Sequence, residues 1–213
     1  MAQNKDWANI QHYDAANKEL IAKGKSEHRV VFLGNSITDF WPVAHPGFFE
    51  SNNFVGRGIS GQTSYQFLTR FREDVVNLMP EAVVINAATN DIAENTGPYD
   101  EDRTFGNILS MVEIAQANGI KVILSTVLPA KGFGWNPAIT DAPEKILKLN
   151  KRIAGYAAAH NIPFIDYFTP LVDADGVSLN PAYSGDGVHP NPQGYEVMEQ
   201  TALPVIREVV KTK

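Results

Sequence analysis

Hydrophobic positions fall into two alternating patterns along the chain. Five short runs are apolar and rich in β-branched residues: Arg29 to Leu33, Asn53 to Val55, Ala82 to Asn86, Ile120 to Val127, and Pro163 to Asp166. Runs of this length without polar alternation read as strands buried on both faces, as in a parallel sheet. Between them, apolar residues recur at helical spacing. Phe105, Ile108, Leu109, Val112 and Ala115 make one stripe, and Ile146, Leu149, Ile153 and Tyr156 another. Asp141 followed by Glu144 reads as a capping box opening the second of these helices. Asn191-Pro192 reads as the N-cap and first-turn proline of the last helix, and Pro204 inside that helix should kink it. An initial helix is expected from about Asp6 to Ala22, with Trp7, Ile10, Tyr13 and Leu20 inward and Gly24 closing it. Strand–helix alternation of this kind predicts an α/β fold whose sheet is covered on both sides.

The connections are lopsided. Helix-to-strand links are tight, at Met79-Pro80-Glu81, Asn118-Gly119 and His160-Asn161-Ile162. The links that leave the last three strands are long: Ala87 to Pro98, Pro129 to Thr140, and Tyr167 to Asn191. Long loops inside a compact domain are usually functional or disordered. All three leave carboxyl ends of strands, where open α/β sheets place their sites.

Composition narrows the chemistry. The chain has 213 residues and no cysteine, which excludes a disulfide framework, a zinc–thiolate site, an iron–sulfur cluster and a thiol nucleophile. A net charge of −6 with scattered Lys and Arg argues against nucleic acid as a partner. No apolar run approaches the length of a membrane span. Met1-Ala2-Gln3-Asn4-Lys5 is polar and lacks a signal-peptide core. A cytoplasmic protein, and a periplasmic or secreted one whose signal was removed, both fit. No linker divides residues 1–213, so a single domain is expected, with residues 1–24 packing on it as an N-terminal helix.

Four segments carry candidate chemistry. Ser36, in Gly34-Asn35-Ser36-Ile37-Thr38, follows the first strand directly, where it is either a helix N-cap or an exposed hydroxyl on a sharp turn. Asp186 and His189 lie three apart in the longest loop. They form either an Asp-Gly turn with an exposed histidine or a carboxylate-oriented base. His12, His28, His45 and His160 lack that setting. Asn90, in Ala88-Thr89-Asn90-Asp91 after the third strand, either starts a turn or donates its amide above the sheet. Gly56-Arg57-Gly58-Ile59-Ser60-Gly61 follows the second strand, where glycine lets backbone approach and leaves an N–H free.

In the order serine, glycine, asparagine, histidine, these blocks are similar to those of the SGNH (GDSL-type) hydrolases, over residues 34 to 190. The resemblance implies a flavodoxin-like three-layer α/β/α sandwich with five parallel strands in the order 2-1-3-4-5. It further implies Ser36 as nucleophile, His189 as base and Asp186 as its orienter. The oxyanion hole would be the N–H groups of Ser36 and Gly58 and the amide of Asn90. Two positions depart from the family pattern: Asn35 replaces its aspartate and Ala88 replaces a glycine. No cofactor and no metal are expected.

Three other classes compete. Gly56 to Gly61 spells a dinucleotide fingerprint, although Glu81 lies before the next strand rather than at its end. Asp39, Asn90, Asp91, Asp186 and His189 could serve as metal ligands, but with a single histidine among them. A non-catalytic binding module of the same fold is the third. Mixed aromatic and amide residues in the loops, including Trp41, Phe133, Trp135, Asn136, Tyr183 and Ser184, suit a polar alcohol. The substrate expected is a short-chain acyl ester, with Trp41 and Trp135 binding an O-acetylated carbohydrate; thioesterase or lysophospholipase activity is the alternative.

Overall fold

The computed structural model describes residues 6–210; the polar segment Met1–Lys5 lies outside the described residues. Five parallel strands pair in the order 2-1-3-4-5: β1 (Val30–Gly34), β2 (Phe54–Gly58), β3 (Ala82–Ile85), β4 (Lys121–Ser125) and β5 (Phe164–Ile165). Each expected run overlaps one of them. β2 extends three residues past its apolar run because its backbone stays in register with β1, Phe32 opposite Gly56 and Gly34 opposite Gly58.

The helices are α1 (Asp14–Ala22), α2 (Ser36–Ala44), α3 (Pro46–Ser51), α4 (Ser64–Asp74), α5 (Thr89–Ile92), α6 (Glu101–Ala117), α7 (Ala142–Ala159), α8 (Phe168–Leu171) and α9 (Pro192–Val210). Alternate strand residues enter opposite cores, as the period of two requires. Val31, Leu33, Val83 and Ile85 pack with Phe67 and Phe71 of α4, Ile108 and Val112 of α6, and Ile146 and Leu149 of α7. Val30, Phe32 and Val84 pack with Trp41 of α2, Phe49 of α3, and Met198 and Ile206 of α9. Burying each such side chain contributes about 1.5–3 kcal/mol. Both faces of the sheet are covered, and an α/β sandwich results.

Local expectations fare unevenly. Asn191 caps α9 through Oδ1, which accepts the Gly194 N–H at 2.9 Å, and Pro204 lies within that helix without ending it. Asp141 forms no capping box; its carboxylate pairs with Lys145 at 2.9 Å instead. Leu109 and Tyr156 are only partly buried, while Met111 and Ala157 are buried and complete the apolar faces of those helices. The N-terminal helix also starts later than expected. Asp6 accepts the N–H groups of Ile10 and Gln11, at 2.9 and 3.1 Å, and so caps a 3₁₀ turn at Ile10–Tyr13 that leads into α1. Trp7, ahead of that turn, is exposed rather than inward.

The carboxyl ends of β1 and β2 meet the first turn of α2 very closely. A Cβ on Gly58 would lie 2.1 Å from the Asp39 nitrogen and 2.5 Å from the Thr38 carbonyl carbon, so only glycine allows this approach. Gly58→Ala is expected to lower the unfolding free energy by about 2–3 kcal/mol in urea titration, since rigid backbone must move. Gly106→Ala, mid-helix in α6 with open space around it, should instead raise it by roughly 0.5–1 kcal/mol.

Candidate active site

Ser36 owes its position to the junction of β1 and α2. The N-cap of α2 is Asn35, whose Oδ1 accepts the Ile37 N–H at 3.0 Å. Ser36 is therefore the first helical residue, and its hydroxyl is not used as a cap. Its N–H belongs to the first turn of α2, where helices lack internal acceptors.

The loop before α9 brings an imidazole to that hydroxyl. His189 Nε2 lies 2.8 Å from Ser36 Oγ, and His189 Nδ1 lies 2.7 Å from Asp186 Oδ2. Asp186 Oδ1 accepts the backbone N–H groups of Val188 and His189 at 2.9 and 2.8 Å. Burial pushes the Asp186 carboxyl up, but those amides and the His189 ring together outweigh it and hold the pKa down at about 2. An ionised Asp186 leaves Nδ1 of His189 as the protonated ring nitrogen and turns Nε2 towards Ser36 as an acceptor.

Asn90 arrives from the turn after β3. Its Nδ2 donates to the Gln62 carbonyl at 3.0 Å, and the next residue, Asp91, is buried where its carboxylate accepts the Ser64 N–H at 2.9 Å. Gln62 is a hub: its Oε1 accepts from Arg70 Nε at 2.7 Å and its Nε2 donates to the Ala8 carbonyl at 2.6 Å. Tyr13 donates its hydroxyl to the Gly58 carbonyl, and burial pushes that phenol up to about 12, so it stays a donor. The loop after β2 is thus clamped between the N-terminal segment and the turn that carries Asn90.

A cavity of about 290 Å³ opens over these groups, lined by Ser36, Phe40, Ser60, Gly61, Asn90, Asn95, Trp135 and His189. The rings of Phe40 and Trp135 flank His189, with centroids 5.5 and 6.1 Å from it. Trp135 Nε1 donates to Asn95 Oδ1 at 2.9 Å, and Asn95 Nδ2 donates to the Gly61 carbonyl at 3.0 Å. A larger hollow of about 440 Å³ lies at the opposite end of β4 and β5, and its one histidine, His160, bonds to the Tyr156 carbonyl.

Two residues expected here lie elsewhere. Trp41 is 1% exposed, stacked between Phe48 and Tyr195, with its Nε1 on Glu199. It belongs to the core because α2 turns about 100° per residue; Phe40, one turn beyond Ser36, shares the serine's face. Gly58 does not line the cavity, since its Cα packs under α2. Gly61, three residues on, does line it, and its N–H has no acceptor among the described residues. The glycine pattern of a dinucleotide site is also absent in context: Gly56 and Gly58 sit inside β2, and the next helix begins only at Ser64. The carboxylates weighed as metal ligands are separately engaged, Asp39 by Ser60, Asp91 by Ser64 and Asp186 by His189.

Residues 32–197 match the model of the GDSL-like Lipase/Acylhydrolase family. The chain belongs to this family. It superposes on the crystal structure of a candidate acylhydrolase of Bacteroides fragilis with a TM-score of 0.95 and 61% identity, covering 97% of this chain and 100% of that one. Among curated proteins it is 27% identical over 95% of its length to a multidomain esterase of Ruminococcus flavefaciens. It is also 28% identical over 85% of its length to an N-acylneuraminate cytidylyltransferase of Escherichia coli. The chain spans 25% and 40% of the lengths of those two relatives.

The two departures from the family pattern have local physical accounts. Asn35 caps α2 as an aspartate would, because both side chains offer an acceptor oxygen. Ala88 sits at φ +87°, where a Cβ costs about 1–2 kcal/mol. Its methyl is buried in the core, which offsets roughly 0.8 kcal/mol of that.

Asp186 supplies a pH test. Its pKa in the fold is depressed, so its stabilisation is present above the ordinary value of 3.8 and is lost as pH falls towards about 2. Urea midpoints measured through that window should fall more steeply for the native protein than for Asp186→Asn. Parallel curves would show that the carboxylate is not held as described.

Proposed function

We propose that the protein is a carboxylic ester hydrolase working through an acyl-enzyme on Ser36. The observation that carries this reading is the unbroken chain Ser36–His189–Asp186, with links of 2.8 and 2.7 Å. Ser36 Oγ attacks the ester carbonyl carbon while His189 Nε2 takes its proton. The oxyanion is held by the N–H groups of Ser36 and Gly61 and by Asn90 Nδ2, which has a second N–H beyond the one given to Gln62. We place Gly61 in this role, in place of Gly58, because it lines the cavity with its N–H unengaged. Collapse expels the alcohol, protonated by His189. Water, deprotonated by the same nitrogen, then releases the acid and restores Ser36.

The acyl group we assign is short. A cavity of about 290 Å³ lies at the small end of ligand pockets, and it must hold both the acyl group and part of the alcohol. Phe40 and Trp135 offer ring faces beside the amides of Asn90 and Asn95, a combination that suits a sugar bearing an O-acetyl group.

Kinetics on a series of p-nitrophenyl esters test both parts. Activity should peak between acetate and butyrate and fall steeply by octanoate; a maximum at decanoate or beyond would overturn the short-chain assignment. Ser36→Ala should abolish turnover, and Asn90→Ala should lower kcat by roughly 10²–10³ with a smaller change in KM. An Asn90→Ala effect confined to KM would mean that the amide binds ground-state substrate only.

A further inference from the structure

A second hollow borders the catalytic cavity. It measures about 250 Å³ and is lined by Trp7, Tyr65, Thr96, Gly97, Pro98 and Arg103. Asn95 lines one cavity and Thr96 the other, so a single peptide bond separates their walls. That wall is anchored on both sides of the bond: Asn95 Nδ2 donates to the Gly61 carbonyl at 3.0 Å, and Thr96 Oγ1 meets Thr63 Oγ1 at 3.1 Å.

Trp7 is the feature that needs a reason. Its side chain carries a large apolar area, yet it is 51% exposed. Its backbone is nonetheless pinned. The Trp7 carbonyl accepts from Gln66 Nε2 at 2.8 Å, and the neighbouring Ala8 carbonyl accepts from Gln62 Nε2 at 2.6 Å. The indole is therefore held at the rim by bonds that use no atom of the ring. In the same lining, the exposed side chain of Arg103 lies with its Nε 3.3 Å from an Asp100 carboxylate oxygen. Its terminal guanidinium nitrogens have no acceptor among the described residues.

The chemistry of this lining is specific. A flat indole suits the C–H face of a pyranose ring, a threonine hydroxyl and a phenol suit its hydroxyls, and a guanidinium fork donates to ring or glycosidic oxygens. An acyl chain would be served instead by a continuous apolar channel with no arginine in it. We propose that this hollow is a glycan subsite, holding the sugar next to the one whose ester is cleaved, so that the enzyme acts on oligosaccharide esters rather than on isolated acetylated sugars. The inference rests on the ester-hydrolase reading above.

Acetate release from partially acetylated xylotetraose, compared with hydrolysis of p-nitrophenyl acetate, tests it. Trp7→Ala should lower the ratio of the two kcat/KM values by roughly tenfold, through KM for the oligosaccharide. Trp7→Phe should recover most of that loss, and Arg103→Ala should lower the ratio severalfold. An unchanged ratio in both alanine variants would overturn the subsite. An equal loss on both substrates would do the same, by showing that Trp7 only supports the loop after β2. A native enzyme that cleaves p-nitrophenyl acetate but releases no acetate from the oligosaccharide would remove the subsite and leave ester hydrolysis standing. Inactivity on both substrates would remove the ester-hydrolase reading itself.

Discussion

The buried guanidinium of Arg70 holds the carboxyl end of the sheet together. It donates to the Gly34 and Arg57 carbonyls, each at 3.0 Å, to Gln62 Oε1 at 2.7 Å and to Asp74 Oδ2 at 2.8 Å. Those contacts tie the end of β1, two residues before Ser36, to β2 and to the loop that carries Gly61. A buried charge left unpaired costs several kcal/mol, so the fold keeps Arg70 in place only with all of its partners. Asp74 is in turn held by Asn17 Nδ2 at 2.7 Å, and Asn17 Oδ1 accepts from Arg57 Nε at 2.9 Å. The network couples the N-terminal helix to the strand ends, and the groups around the cavity inherit its rigidity.

That rigidity matters for the chemistry proposed. Stabilisation of an oxyanion depends on donors that are already aimed when charge develops. Asn90 is fixed through the Gln62 carbonyl, Gly61 through Asn95, and His189 through a carboxylate itself held by two amides. Each of these three groups is thus oriented by a second contact that the proposed reaction does not consume. The same contacts set the rim, because Asn95 also receives the Trp135 indole N–H.

Much of this was legible in the chain. The five apolar runs located the strands, since burial on both faces leaves no polar alternation to misread. The lengths of the loops after the last three strands located the site, and Ser36, Asn90, Asp186 and His189 meet there. What was not legible depended on phase and on close approach. Trp41 drew attention by its chemistry, whereas helical phase from Ser36 points to Phe40. Gly58 and Gly61 share one glycine-rich segment, and only the contact of Gly58 with the α2 backbone shows which of them is structural. A helical pattern running back to Asp6 would turn Trp7 inward, but the Asp6 side chain instead caps a turn beginning at Ile10.

In the proposed reaction, acyl transfer passes through the hydroxyl of Ser36. Rapid acid quench of the enzyme during turnover of p-nitrophenyl acetate, followed by peptide mass spectrometry, addresses it directly. One acetyl group is expected, on the peptide containing Ser36 and assigned to that serine by fragmentation. Full turnover with no acetylated peptide, or with the acetyl group on another residue, would contradict it.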